Sequence, residues 1–386
     1  MDTKLRVVFA GGGTAGHLYP AINLAETLKR YWPCDFLFFG TKSGIEAERI
    51  PQLGYKLEVL NVMGFHRRFS LQNLLFPFRL ISSLQKSKKI LRSFKPHFVI
   101  GTGGYIMGPV LRIAAKLHVP FFLQEQNSFP GLTTRMLAKE AVTVFLAYEE
   151  AKTYLHTNAV TQMIGNPISV AKIEKTRDEI CKEFGLKPDK RTILVFGGSQ
   201  GSANINMAMQ DILDKYELQD DLQILWQTGK KQHGIYSNWL SRKKLKNVVL
   251  LPFINEMWSA YKISEFCICR AGAMSISELA AAKLPAILIP LPSAAGNHQF
   301  KNAQTMVMKK CAALVEDNQN LMESLYQKMT SWIIDSEALN EMRKNLGVIA
   351  QPDAANKIVR KMEALLKNKN QWPNLENIVN EPANQN

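Results

Sequence analysis

Apolar residues along the chain fall into two alternating patterns. Short runs rich in β-branched and aromatic residues read as buried strands. Leu5-Arg6-Val7-Val8-Phe9-Ala10 is the first of them. Between the runs, apolar residues recur at helical spacing, as in Ala21, Ile22, Leu24, Ala25 and Leu28. Pro20 suits the first turn of that helix. Further strands are expected at 35–40, 55–62, 97–100, 120–123, 143–146 and 160–164. One or two helices are expected over 70–94, entered or kinked at Pro77. Another is expected over 107–116, with Pro109 in its first turn. Such alternation predicts a parallel sheet with helices on both faces.

After Gly165-Asn166-Pro167 the pattern restarts. A charged, helix-like segment over 173–184 leads to a strand at 192–196, a glycine turn, and a helix from about Asn204. Strands follow at 223–226, 248–251, 266–269 and 286–290, with a helix over 275–283 among the connections. The chain closes with a helix over 353–367 and a polar tail from Asn368 that is expected to fray. The expected class is α/β, with two Rossmann-like doubly wound domains facing across a cleft. The first covers 1–165 and the second 166–352. The helix 353–367 is expected to pack back on the first domain, leaving 368–386 as a tail.

Composition narrows the class. With 386 residues, 46% hydrophobic and 21% charged, the chain suits an ordinary globular protein of two domains. Cys34, Cys181, Cys267, Cys269 and Cys311 show neither CxxC pairing nor a Cys/His metal spacing. They read as reduced thiols of a cytoplasmic protein, with no metal site. No signal peptide is expected, and no apolar run approaches the ~20 residues that span a bilayer. The net charge of +15 is unevenly spread. Residues 59–124 contain no Asp or Glu but hold Arg67, Arg68, Arg79, Lys86, Lys88, Lys89, Arg92, Lys95, Arg112 and Lys116. Phe65, Phe69, Phe76 and Phe78 are interleaved with them. This mixture suits an anionic membrane surface better than nucleic acid. A solvated helix face over a normal core is the plainer alternative.

Candidate chemistry gathers at strand ends. Gly11-Gly12-Gly13-Thr14-Ala15-Gly16-His17 links the first strand to its helix, a loop that lets backbone approach a ligand closely. Gly101-Thr102-Gly103-Gly104-Tyr105 is a second such turn, and Gln124-Glu125-Gln126-Asn127 is a polar cluster at another strand end. That cluster also reads as a turn. In the second half, Gly197-Gly198-Ser199-Gln200-Gly201 repeats the first loop. Arg270-Ala271-Gly272-Ala273-Met274-Ser275-Ile276-Ser277-Glu278 joins a strand to a helix whose N–H groups suit a diphosphate without a metal. Glu278 lies where a carboxylate meets ribose hydroxyls, though Ser275 with Glu278 reads equally as a capping pattern. Phe253-Ile254 and Asn297-His298-Gln299 offer groups for a base edge and for sugar hydroxyls. The P-loop pattern GxxxxGK[ST] and HExxH are absent.

Six of these motifs, in order and spacing from about residue 5 to about 365, resemble the MurG family of peptidoglycan GlcNAc transferases in glycosyltransferase family 28. They are Gly12–His17, Gly101–Tyr105, Glu125–Asn127, Gly165–Pro167, Gly197–Gly201 and Arg270–Ala273. The resemblance implies a GT-B fold without a cofactor. It implies inverting transfer of GlcNAc from UDP-GlcNAc to the C4 hydroxyl of the muramyl sugar of lipid I, giving lipid II. It places the enzyme peripherally on the cytoplasmic face of the bacterial inner membrane. Carried over residue by residue, donor contacts fall on Thr14, Ala15, Gly16, Asn127, Ser199, Ile254, Ala273, Met274, Ser275, Ile276, Ser277, Glu278 and Gln299. His17 matches the family histidine near the acceptor and is the expected general base, with Glu125 as its competitor. Ala15 stands where a third glycine is usual, Ser169 where Arg is frequent, and Gly296 where many relatives carry an acid. Two other readings are a related transferase acting on another lipid, such as diacylglycerol, and a non-catalytic membrane-binding protein of the same fold.

Overall fold

The computed structural model describes residues 4–62, 76–373 and 375. They form two compact units. The first runs to Ser169 and resumes at Asp353; the second spans Val170–Pro352.

In the first unit, β1 (Leu5–Gly11), β2 (Cys34–Gly40), β3 (Lys56–Val59), β4 (Phe98–Gly103), β5 (Phe121–Glu125), β6 (Thr143–Leu146) and β7 (Thr161–Met163) form one parallel sheet. Its order is β3-β2-β1-β4-β5-β6-β7. The helices are α1 (Ala15–Tyr31), α2 (Glu46–Gln52), α3 (Phe76–Phe94), α4 (Met107–Lys116) and α5 (Leu132–Leu137). Side chains alternate between sheet faces, and both faces are covered. Leu5, Val7, Phe9, Phe36 and Phe38 join α1 residues in one core; Val8, Ala10, Leu37 and Phe39 join α4 residues in the other. That is why these strands read as continuous apolar runs.

The second unit repeats the plan. Its strands are β8 (Arg191–Phe196), β9 (Leu222–Gln227), β10 (Val248–Leu251), β11 (Ser264–Cys269), β12 (Ala286–Leu288) and β13 (Ala312–Leu314), in the order β10-β9-β8-β11-β12-β13. Its helices are α6 (Arg177–Phe184), α7 (Ala203–Lys215), α8 (His233–Lys243), α9 (Met257–Ile263), α10 (Ala273–Ala282), α11 (His298–Met308), α12 (Leu321–Ile334) and α13 (Ser336–Ile349). Strand order reverses between β1 and β4 in one sheet and between β8 and β11 in the other. Ligands of open α/β sheets bind at the carboxyl ends of strands at such reversals.

Several boundaries differ from the sequence pattern. The segment 173–184 becomes helical only at Arg177, because Thr176 and Glu179 close a capping box there. The strand expected over 55–62 is limited to Lys56–Val59. The helix expected over 275–283 begins earlier, at Ala273, with Gly272 as its N-cap. The Ser275–Glu278 capping pattern is therefore not formed. The helix expected over 70–94 is seen from Phe76, and Phe65, Arg67, Arg68 and Phe69 lie outside the described residues.

The last helix, α14 (Ala354–Asn368), packs on α1, burying Ile358, Val359, Met362 and Leu366 in the first unit's core. The Arg360 guanidinium lies 3.9 Å from the centre of the Tyr31 ring, and the Tyr31 hydroxyl donates to Asn356 Oδ1. The described residues just beyond Asn368 pack on the first unit, and the rest of the expected tail, 374 and 376–386, lies outside the described residues. Gln371 N–H caps the Leu366 carbonyl at 2.8 Å, and the Trp372 ring sits 4.9 Å from Trp32 and 6.1 Å from Phe98. Aromatic burial overrides the polar composition there. Trp372→Ala should lower stability by about 1–2 kcal/mol, less than for a fully buried Trp. Urea melting checks this, and an unchanged midpoint would show that the contact contributes nothing.

Candidate active site

The loop after β1 is shaped by one carboxylate. Glu46, at the start of α2, is only 1% exposed. Its Oε2 accepts from Gly13 N–H at 2.9 Å, and its Oε1 accepts from the Thr41 N–H and hydroxyl at 2.8 Å. A Cβ at Gly12 or Gly44 would lie within 2.7 Å of the Glu46 carboxyl, and one at Gly40 within 2.4 Å of its Cγ. Gly13 has φ 82°, whereas Ala15 is already helical, so the missing third glycine causes no strain.

His17 sits in the first turn of α1, half-buried. Its Nδ1 is 3.2 Å from both the Gly12 carbonyl oxygen and Thr14 Oγ1. Thr102, at the end of β4, donates to the His17 carbonyl at 2.7 Å. Gly103 and Gly104 follow with φ 114° and 83°. A Cβ on Gly103 would stand 2.5 Å from His17 Cδ2. The turn after β4 thus lacks side chains because the imidazole of the first loop lies against it. Both loops belong to the strand pair at which the order reverses.

Glu125, at the end of β5, is 3% exposed. Its carboxylate accepts from Asn127 N–H (3.2 Å), Asn127 Nδ2 (3.3 Å) and Gly131 N–H (3.1 Å). Burial pushes its carboxyl above the usual range, while the Thr134, Asn127 and Gly131 donors pull it down. The neighbouring Gln126 amide donates to the Thr102 carbonyl at 2.7 Å, and Asn166 Nδ2 donates to the Gln126 carbonyl. The polar cluster is therefore both a turn and a brace for the β4 end.

In the second unit, Gln227 ends β9 with its amide shared. Nε2 donates to the Gly198 carbonyl at 3.0 Å, and Oε1 accepts from Ile254 N–H at 2.8 Å. One side chain thus fixes both the second glycine loop and the segment after β10. Ser199 lies exposed in that loop. The Ile254 N–H is thus engaged within the unit by Gln227. After β11, Arg270 is the keystone. Its Nη1 pairs with Asp317 Oδ2 at 2.7 Å, with side chains 11% and 3% exposed. Its Nη2 donates to Ser202 Oγ at 2.7 Å, and Ser202 caps α7.

Ala273, Met274 and Ser275 form the first turn of α10, which points its N–H groups past Gly272. Ser277 turns inward, donating to the Ala273 carbonyl at 3.0 Å, and Ile276 is buried in the core. Glu278, half-buried, accepts from the Tyr261 hydroxyl at 2.9 Å. Burial raises its carboxyl above the usual range, and that bond partly offsets the rise. Gln299 Oε1 accepts from Leu291 N–H at 3.0 Å, just inside α11. Gly296 and Asn297 before it have φ 62° and 56°, a conformation that favours glycine at 296. Among the described residues, no group of three or more His, Cys, Asp or Glu is placed to hold a metal ion.

Sequence reasoning missed Glu46, Gln227, Asp317 and Tyr261. Gln227 carries the same signal as Gln124–Asn127, a polar residue ending an apolar strand, and Glu46 is preceded by Gly40 and Gly44, both packed against its side chain. Asp317 has no local signal.

Residues 7–146 match the glycosyltransferase family 28 N-terminal domain, and residues 192–360 match its C-terminal domain. The chain is 40% identical over 372 residues to the UDP-N-acetylglucosamine--N-acetylmuramyl-(pentapeptide) pyrophosphoryl-undecaprenol N-acetylglucosamine transferase of Christiangramia forsetii. That match covers 96% of this chain and 100% of the relative. The chain belongs to the MurG family of glycosyltransferase family 28. The similarly named transferase of Flavobacterium psychrophilum is 38% identical, covering 94% of this chain and 98% of the relative. The crystal structure of Acinetobacter baumannii MurG superimposes with a TM-score of 0.73 at 25% identity, over 93% of this chain and 99% of that one. The two Rossmann-like domains of the MurG family are thus the α/β units described above, of the GT-B class.

Removal of the Arg270 partner tests the keystone. Asp317→Ala should destabilise the protein by about 3 kcal/mol, because it leaves a buried guanidinium unpaired. Urea denaturation measures it; a loss below about 1 kcal/mol would show the pair to be screened by solvent.

Proposed function

We propose that this chain transfers GlcNAc from UDP-GlcNAc to the C4 hydroxyl of the muramyl sugar of lipid I, giving lipid II with inversion. The observation that carries the reading is the pair of near-full-length relatives bearing that transferase name, on a chain with every site motif in place. The donor is assigned to the second unit. Its diphosphate lies against the first turn of α10 at Ala273, Met274 and Ser275, with Ser199 of the second loop beside it. Uracil is read at Ile254, and the ribose hydroxyls donate to Glu278. In the second unit Gln299 is assigned to the donor's sugar hydroxyls; in the first unit Asn127 and the loop backbone at Thr14, Ala15 and Gly16 are assigned donor contacts by the family resemblance. Ile276 and Ser277 support this turn from within the helix.

His17 is assigned as the general base. Imidazole is the side chain best suited to accept a hydroxyl proton near neutrality. Its position beside Gly103 at the strand-order reversal supports the role. Glu125 is assigned a positioning role through Asn127, because its carboxylate already accepts three backbone or amide donors and is almost fully covered.

The acceptor's polyprenyl tail requires a membrane, and α3 suits one. Phe78 and Ile81 are 71% and 53% exposed, and Lys88 and Arg92 continue the same helical stripe, both exposed. No helix among the described residues is long and apolar enough to cross a bilayer. The family resemblance supports the cytoplasmic face of the inner membrane, and contact there is assigned to inserted apolar side chains and to cations worth about 1 kcal/mol each near anionic lipid.

Release of UDP from UDP-GlcNAc should depend on a lipid I analogue; release with diacylglycerol instead would favour the related lipid glycosyltransferase. In the same assay His17→Ala should cut turnover by roughly 10² or more. Turnover within a few-fold of wild type would move the base to Glu125. Co-sedimentation with anionic vesicles should weaken with salt and with charge reversal at Arg79, Lys88 and Lys89. Binding indifferent to both would remove α3 from the membrane contact.

A further inference from the structure

The peptide unit joining Gly12 to Gly13 is held at both ends. Its N–H donates to Glu46 Oε2 at 2.9 Å. Its carbonyl oxygen lies 3.2 Å from His17 Nδ1. A carbonyl oxygen only accepts, so a hydrogen bond from the ring to Gly12 places the proton on Nδ1, whereas the Thr14 hydroxyl, also 3.2 Å away, can accept from or donate to the same nitrogen. The imidazole then keeps an unprotonated Nε2. Three groups line up in order: a buried carboxylate, a peptide bond and a histidine.

We propose that Glu46 is a positioning residue of the transfer reaction, acting on His17 through the Gly12–Gly13 peptide. The arrangement resembles a carboxylate orienting a histidine directly, with one amide interposed. A carboxylate on the N–H end polarises the amide and makes its carbonyl oxygen a better acceptor. A better acceptor at Nδ1 fixes the tautomer and the ring orientation, and raises the basicity of Nε2. Glu46 also explains the glycines around it. Gly12, Gly40 and Gly44 lack a Cβ because the Glu46 side chain occupies that space. In the first loop Gly12 is bare for this reason, while a Cβ at Gly11 would meet Thr102 and Gly13 has φ 82°.

Thr41 separates this role from scaffolding. Its N–H and hydroxyl hold the other carboxylate oxygen, Oε1, and have no contact with the Gly12–Gly13 peptide among the hydrogen bonds described. Thr41→Val should therefore weaken the fold while leaving the tautomer of His17 intact.

The inference rests on His17 being the base, but its readout is independent of activity. Nitrogen NMR of the full-length protein labelled with 15N-histidine, with the His17 signals assigned from His17→Gln, reports which ring nitrogen carries the proton. Wild type should show Nδ1–H at neutral pH. Glu46→Gln keeps the shape of the side chain and removes its charge. It should shift His17 towards a tautomer mixture and lower kcat about tenfold, with the KM for UDP-GlcNAc within twofold. Thr41→Val should lose thermal stability with the wild-type His17 spectrum. A wild-type His17 protonated on Nε2 would overturn the proposal even if no variant folded. So would a Glu46→Gln enzyme with unchanged His17 signals and unchanged kcat. An intact tautomer response with an active His17→Ala enzyme would instead remove His17 as the base and leave the relay standing as structure.

Discussion

Both sheets are parallel and covered on both faces, so the strands themselves have no room for polar side chains away from their ends. Catalytic and binding groups are driven to the carboxyl ends, and the reversal of strand order opens a gap there into which loops descend. In the first unit this brings the turns after β1 and β4 against each other, with His17 between them and glycines where a Cβ would collide. In the second it brings together the loop after β8 and the turn after β11, tied by Arg270 to Ser202. The same constraint acts twice, with different chemistry each time.

That difference is electrostatic. The first loop closes on an internal carboxylate, Glu46, which holds the Gly13 N–H. The second is braced by a neutral amide, Gln227, and a cation, Arg270, whose charge is balanced within the unit by Asp317. An anionic leaving group is better accommodated beside the second arrangement than beside the first. The two glycine loops look alike in sequence, yet their supports differ, an internal carboxylate under the first and an amide with a charge-balanced cation under the second.

Much of this was legible from the chain alone. The apolar runs located every strand of both sheets except β13, because two-sided burial leaves a continuous apolar signature. The glycine turns and the Gln124–Asn127 cluster were visible because strand ends are the only polar interruptions in such runs. What escaped were the long-range partners. Asp317 reaches Arg270 from a loop after β13, and Tyr261 reaches Glu278 from α9; neither pairing has a local pattern. The helix start at Ala273 was also missed, because Gly272 caps by backbone conformation alone, whereas Ser275 carries the stronger capping residue. At the C-terminus, polar composition concealed Trp372, whose ring finds Trp32 and Phe98.

The return of α14 to α1 has a consequence for biosynthesis. Ile358, Val359, Met362 and Leu366 belong to the core formed by the strands at the start of the chain. While the ribosome is still translating the middle of the message, that core is open on the α1 side. The second unit, contiguous from Val170 to Pro352, is complete earlier than the first, although its residues are made later. The usual order of domain maturation, amino-terminal first, is therefore inverted, and the histidine-bearing half is the last part to be sealed.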